Sequence, residues 1–316
     1  MPKAGCADAD FVRLIETVGI IKASQKLGVS ERAVYKRRAN VEKKLGRQIT
    51  TPPYHNNTTR RNVAHPQRID IEIDDGVILV ASDCHYWPGD PSTAHRAFVK
   101  FCKILKPAVV VMNGDVMDCG SISRFPPIGW ESQPTVAEEI GAAQRRLREI
   151  TEATPQAEHA WTLGNHDGRF ETRLATVAPE FAGVHGVHLK DHFPDWKACW
   201  SVWVNDGSVI KHRFKGGIHA AHNNTLWSGR TLVTGHLHSL KVTPHTDYNG
   251  TRFGVDTGTL ADVYGKQFTD YTEDNPRSWR SGFAVLTFDK GRLLWPEVVH
   301  VMGDKEVEFR GKVYAV

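Results

Sequence analysis

No run of apolar residues in this chain approaches the roughly 18–20 that a membrane-spanning helix needs. The opening stretch, Met1-Pro2-Lys3-Ala4-Gly5-Cys6-Ala7-Asp8, has no apolar segment of the kind a secretory leader carries, so export is not expected. Cysteine is scarce: Cys6, Cys84, Cys102, Cys119 and Cys199 are an odd number, with no C-x-x-C pair among them. That speaks against a disulfide framework and against a zinc ribbon, and makes a reduced, cytoplasmic compartment the expectation. Internal repeats are also lacking. What remains is ordinary globular usage, 40% hydrophobic and 24% charged over 316 residues, which excludes wholesale disorder. The length suggests one large domain with an appendage, or two domains.

Charge is unevenly spread. Residues 1–68 hold 14 lysines and arginines against 5 acids, while the remainder holds 26 against 31. A basic head on a mildly acidic body suits contact with a polyanion, although a solvated basic helix face would look the same. Within the head, Phe11, Leu14, Ile15 and Val18 form one helical stripe that ends at Gly19. A short second helix carries Ile20, Ile21, Ala23 and Leu27 and closes at Gly28. A third starts from Ser30 as N-cap, runs through Val34, Val41 and Leu45, and has Gly46 as its C-cap. Residues 50–68 lack apolar periodicity and contain three prolines, as a linker does.

The segment from Ala23 to Tyr35 resembles a helix-turn-helix: Gly28 makes the turn, Ser24 is the small residue at the crossing, and Leu27, Val29 and Val34 form a small core. The stretch Val41 to Arg47 is similar to the end of the recognition helix in LysR-type regulators. The resemblance implies DNA contacts from Arg32, Lys36, Arg37 and Arg38, to phosphates and to guanine edges. A protein-interaction role for the same module stays open. One isolated copy would bind DNA weakly and mostly electrostatically.

From residue 69 the texture changes. Val77–Ala81 and Ala108–Met112 are short continuous apolar runs, as expected of strands buried on both faces. Helical stretches at 92–105 and 135–152 lie between further strands at 159–163, 200–204, 208–211 and 231–234. After residue 280 apolar and polar residues alternate with Gly turns, as in antiparallel strands. Polar clusters follow the strand candidates: Asp83-Cys84-His85, Gly114-Asp115-Val116-Met117-Asp118, Gly164-Asn165-His166-Asp167, His212, and Gly235-His236-Leu237-His238. In α/β sheets ligands bind at the carboxyl ends of strands, and Asp, Asn and neutral His suit Mn²⁺, Fe or Zn²⁺.

Taken in order, D-x-H, G-D-x-x-D, G-N-H-D, H and G-H-x-H resemble the signature of the calcineurin-like metallophosphoesterase superfamily, over roughly residues 75–240. The resemblance implies a four-layer α/β sandwich of two mixed sheets flanked by helices, and two divalent ions, Mn²⁺ first, with Fe, Zn or Ni as alternatives. Carried over by position, Asp83, His85 and His238 hold one ion, Asn165, His212 and His236 the other, and Asp115 bridges them. His166 stabilises or protonates the leaving oxygen, Asp118 orients its imidazole, and Asp167 supports from behind. At the fourth motif position His219 and His222 compete with His212, which is preferred because it directly follows a strand. Arg124 and Asn165 are candidates for substrate phosphate, a loop salt bridge being the plainer role for Arg124. Cys84 reads as a packed small residue. Trp196, Trp200, Trp203 and Trp227 could stack bases, or pack in the core.

Joining head and body, the leading expectation is a DNA phosphodiesterase or nuclease using a metal-activated hydroxide, with DNA as partner and no membrane association. A phosphomonoesterase is the alternative, weakened by Cys119-Gly120 where protein phosphatases of the superfamily have Arg-Gly. The third reading is a DNA-binding regulator whose phosphoesterase domain senses a ligand. Some bacteriophage-encoded phosphoesterases are similar to the catalytic part.

Overall fold

In the strand Gly76–Ala81, Ile78 and Val80 face one way and Leu79 and Ala81 the other, and all four are fully buried. A strand covered on both faces has to sit inside a layered structure. The computed structural model describes residues 6–51, 67–125 and 133–316, which divide into two units, Met1–His65 and Pro66–Val316. Most of the expected linker, residues 52–66, lies outside the described residues. Its expected last residue, Arg68, already belongs to a strand, Arg68–Ile71, paired with Ser201–Val204.

The larger unit holds two mixed sheets. The nine-stranded sheet runs Lys312–Ala315, Glu306–Phe309, Glu297–Gly303, Gly282–Asp289, Gly76–Ala81, Val109–Met112, Glu158–Thr162, Lys197–Cys199, with Arg292–Leu293 paired beside Gly282–Asp289. The six-stranded sheet runs Arg68–Ile71, Ser201–Val204, Ser208–Ile210, Thr231–Thr234, Gly250–Asp256, Lys241–Asp247. Ile78, Val80, Val111, Val202, Ile210, Val233 and Val255 fill the space between the sheets. On the outer face of the larger sheet, Phe98, Phe101, Leu147 and Ile150 pack down from helices Thr93–Leu105 and Val136–Ala153. Ser92 caps the first of these, and a Thr135–Glu138 capping box starts the second. The helix Ala220–Ser228 covers the outer face of the smaller sheet. This is the expected four-layer arrangement.

Strands Gly76–Ala81, Val109–Met112 and Glu158–Thr162 are mutually parallel, so their polar sequels leave along one edge. Ser208–Ile210 and Thr231–Thr234 are parallel in the other sheet and lead to His212 and to residues 235–238. Among the described residues no helix is long and apolar enough to cross a membrane.

In the smaller unit, one helical segment Asp8–Leu27 is broken at Gly19, whose φ of 75° and ψ of 176° are non-helical. Gly28, in the left-handed region, ends it, and Ser30 caps Glu31–Leu45 by accepting from the Ala33 amide. The core consists of Phe11, Val12, Ile15, Ile20, Ala23, Val34, Val41 and Ile49. Val29 and Leu45, expected inside, are exposed; Ile49, beyond the last helix, folds back and is fully buried.

Candidate metal centre

The loops that follow the parallel strands are tied to one another through the main chain. The amides of Asp83, His85 and Tyr86 donate to the carbonyls of Gly114, Asp115 and Val116 at 2.9, 3.0 and 2.9 Å. Asp83, His85, Asp115, His236 and His238 all have positive φ, between 41° and 73°, a conformation that costs a non-glycine residue on the order of 1–3 kcal/mol and clusters at functional sites. Gly164 is required by the same crowding: a Cβ there would lie 2.1 Å from Asp115 Oδ1 and 2.4 Å from its amide nitrogen.

These loops bring together Asp83, His85 and His238 in one cluster, Asp115, His212 and His236 in a second, and His85, Asp118 and His166 in a third. Asn165 presents a buried Oδ1 that no hydrogen bond satisfies, as do His85 Nε2, His212 Nε2 and His238 Nδ1. Buried polar atoms left without a hydrogen bond are costly unless a ligand takes them up. The tautomers agree with that use. His212 Nδ1 donates to the Asn113 carbonyl at 2.8 Å, which sets Nε2 facing Asp115, 3.0 Å away, as the nitrogen a cation would take in place of a proton. His85 Nδ1 donates to Asp118 Oδ1 at 3.0 Å, freeing its Nε2 in the same way. The donor set of carboxylate, imidazole and amide oxygen therefore fits divalent cations. His212, rather than His219 or His222, is the histidine gathered here; His222 packs edge-on against His245.

The charges need a counterion as much as the lone pairs do. Burial alone would raise the Asp83 and Asp115 carboxyls. The imidazoles of His238 and His212 hold Asp83 below its ordinary range, and His212, with His166 and His85, holds Asp115 well below it. Burial opposes charge on His212, but Asp115 and Asp83 outweigh it and raise its pKa far above the usual value. A divalent cation held here would replace that proton and compensate both carboxylates.

Asp118 Oδ1 accepts from His85 Nδ1 at 3.0 Å and lies 3.0 Å from His166 Nδ1, which also donates to the Asp118 carbonyl at 3.0 Å, so this residue orients an expected ligand as well as the expected acid. Two hydrogen-bonded imidazoles overcome its burial and hold its carboxyl well below the usual range. For His166 burial lowers the pKa, but the bond to Asp118 and the nearby carboxylates raise it overall. Sequence reasoning missed Arg169. It donates from Nη1 to the Asp118 carbonyl at 2.8 Å and places Nη2 3.3 Å from His166 Nε2. The available signal was its i+3 spacing from His166 at a helix start. Phe268 and Trp279 were missed too; their rings wall His238 at centroid distances of 5.6 and 4.5 Å. Arg124 is exposed and lies over the Phe125 ring. Burial pushes the Cys84 thiol well up, away from nucleophile chemistry. Trp196 is buried in the core, and Trp203 lies beneath Arg68 and Arg230, leaving Trp200 and Trp227 exposed.

Glu139 is a further unexpected neighbour. It is fully buried, and its Oε2 accepts from the Cys119 amide at 2.6 Å while Oε1 has no partner. Burial, reinforced by Asp118, lifts its pKa from 4.5 to about 7. A carboxyl raised in the fold contributes full stability below about pH 4.5 and loses it as pH rises through about 7, a swing on the order of 3 kcal/mol. Glu139→Gln should therefore narrow the drop in Tm between pH 5 and pH 8. A drop equal to the wild type's in thermal melts would show that Glu139 stays ionised throughout.

In the head, Arg32 and Lys36 are exposed on helix Glu31–Leu45. Arg37 instead stacks on Phe11 and bonds the Cys6 carbonyl and Asp8, and Arg38 bonds Glu42 and the Ile49 carbonyl. The last two are thus engaged in holding the small core together.

Residues 76–297 match the family described as calcineurin-like phosphoesterase. The chain belongs to this family. As a calcineurin-like phosphoesterase it is a metal-dependent hydrolase of phosphoric esters. It is 26% identical over 263 residues to the Gene 54 protein of Mycobacterium phage L5, covering 76% of this chain and 98% of that protein. With the Gene 54 protein of Mycobacterium phage D29 it shares 25% over 252 residues, 72% of this phosphoesterase and 94% of the relative. Among solved structures, nuclease MPE of Pseudomonas putida aligns over 69% of this chain and 86% of its own, at 13% identity and a TM-score of 0.30.

Proposed function

We propose that this phosphoesterase cleaves phosphodiester bonds of DNA at a two-metal centre, and that its basic N-terminal unit is a helix-turn-helix that brings it to DNA. The observation that carries the reading is the pairing, in one chain, of that centre with a capped helix exposing Arg32 and Lys36. Asp83, His85 and His238 would hold one divalent ion and Asn165, His212 and His236 the other, with Asp115 between them; Mn²⁺ is the ion proposed. When bound, such a pair neutralises phosphate charge and supplies a nucleophile of lowered pKa. The chain's own residues do the rest. His166, raised in pKa and oriented by Asp118, holds a proton for the leaving oxygen. Arg169, bonded to the Asp118 carbonyl, braces the loop that orients that imidazole. Arg124 and the Asn165 amide are the proposed contacts to substrate phosphate. Arg32 and Lys36 contact backbone phosphates of the target, Arg37 and Arg38 serving chiefly to hold the helices that present them.

The test is Mn²⁺-dependent cleavage of end-labelled single- and double-stranded linear DNA by the full-length protein, with Asp115→Asn purified in parallel. Cleavage that disappears in the variant supports the reading. Intact DNA alongside rapid hydrolysis of a small phosphomonoester would replace it with a phosphomonoesterase. Removal of residues 1–50 is expected to weaken DNA binding about tenfold or more at low salt, and to leave hydrolysis of bis(p-nitrophenyl) phosphate within about twofold. Loss of small-diester turnover on that deletion would show that the two units do not act independently.

A further inference from the structure

Between Gly207 and Thr246 the chain contains no aspartate or glutamate. At the mean usage of 36 acids in 316 residues, about five would be expected there. The same span holds Lys211, Arg213, Lys215, Arg230 and Lys241, and supplies His212, His236 and His238 to the metal centre. Directly after His212 the chain comes to the surface, and residues 213–219 are all exposed. Two aromatic rings stand among the cations. Phe214 is 46% and Trp227 69% exposed. Lys215 lies 5.4 Å from the Phe214 ring and 4.8 Å from the Trp227 ring, and Lys211 lies 5.6 Å from Phe214. The platform is built rather than loose: the Lys215 amide donates to the buried Asn224 Oδ1 at 2.8 Å, which ties the exposed loop to helix Ala220–Ser228. Arg213 directly follows His212 in the chain, so the cationic surface adjoins the second cluster.

The opposite flank differs. A cleft of about 260 Å³ beside His85 sets Arg146 and Lys266 against Asp90 and Asp262, so charge gives a polyanion no preference there.

We propose that Lys211, Arg213, Phe214, Lys215 and Trp227 form a track for an unpaired DNA strand leading into the metal centre. This rests on the phosphodiesterase reading above and adds the state of the substrate. Lysine and arginine follow the phosphates, while exposed rings stack on base faces, which a duplex keeps covered. A pure phosphate-binding surface would need the cations but not the rings.

The full-length protein with Mn²⁺ would be given a labelled thymidine oligonucleotide of about 16 nucleotides, the duplex of equal length, and bis(p-nitrophenyl) phosphate. The wild type should use the single strand at least about tenfold better than the duplex. Phe214→Ala and Trp227→Ala should each lower the ratio of strand to small-diester kcat/KM by about tenfold, through KM. Trp227→Phe should restore most of the loss, and Lys215→Gln should flatten the salt dependence of log KM by about 0.7. If strand and duplex are cut alike and these substitutions leave the ratio unchanged, the track is wrong and the DNA reading survives. If both substrates fall together, the rings support the metal centre instead, and the track is again wrong. If the wild type hydrolyses the small diester but neither DNA, both readings fall.

Discussion

Asp115→Asn is expected to lower turnover of any phosphoester by about 10³-fold or more while leaving the fold intact. The side chain is nearly isosteric, and its Oδ1 can still accept from the His166 amide, a 2.8 Å bond in the wild type. What changes is the charge. Asp115 stands 3.0 Å from His212 Nε2 at the junction of the two donor groups, and among the described residues no other carboxylate joins the second cluster. Without it, Asp83 is the one carboxylate left among the six other proposed ligands, and a second cation would sit there with little negative charge to offset it. Metal analysis of the dialysed variant should show fewer than two ions per chain, and circular dichroism an unchanged fold. Two tightly held ions and activity within tenfold of wild type would remove Asp115 from the bridging position.

The chemistry along the sheet edge was readable because each motif follows an apolar run short enough to be only a buried strand. Parallel pairing of 76–81, 109–112 and 158–162 then turns separate motifs into one locus. The head was readable for a related reason: Gly19, Gly28 and Gly46 each take a positive φ where a helix stops. Other parts carry no such signal. The hairpin Lys241–Asp247 with Gly250–Asp256 lies at a sheet edge, tolerates Pro244 and has no fully buried residue on its first strand, so no apolar pattern marks it. Residues 217–222 have the composition of a Gly-Ala loop, and His222, Asn223, Asn224 and Thr225 are weak helix formers. Contact with the smaller sheet overrides that preference and makes Ala220–Ser228 a helix, with His219 at its N-cap. Glu139 and Arg169 approach Asp118 across the fold from separate helices, a relation that appears only when the layers assemble. The same holds for Asp118 serving His85 as well as His166.

Asp167→Ala should be the most destabilising single change at the site, costing at least about 4 kcal/mol or preventing folding. The Asp167 carboxylate is fully buried. It accepts from the amides of Asp115, Val116, Met117 and Gly164 at 2.9, 3.0, 3.2 and 2.9 Å, and from Trp161 Nε1 at 3.0 Å. Alanine leaves five donors facing an apolar interior, each lacking a partner worth about 1–3 kcal/mol to a buried group. Set against a typical domain stability of roughly 5–15 kcal/mol, that is most of the margin. Asp167→Asn separates folding from function. It keeps the volume and one acceptor oxygen, so it should unfold in urea at a midpoint between those of wild type and alanine variant. Yet it loosens the two loops that position Asp115 and Asn165, and support of this kind typically governs metal affinity by 10–100-fold. A shift of that size in the concentration of Mn²⁺ giving half-maximal activity is the expected result for the folded Asn variant. Wild-type metal dependence together with reduced stability would confine Asp167 to holding the chain together.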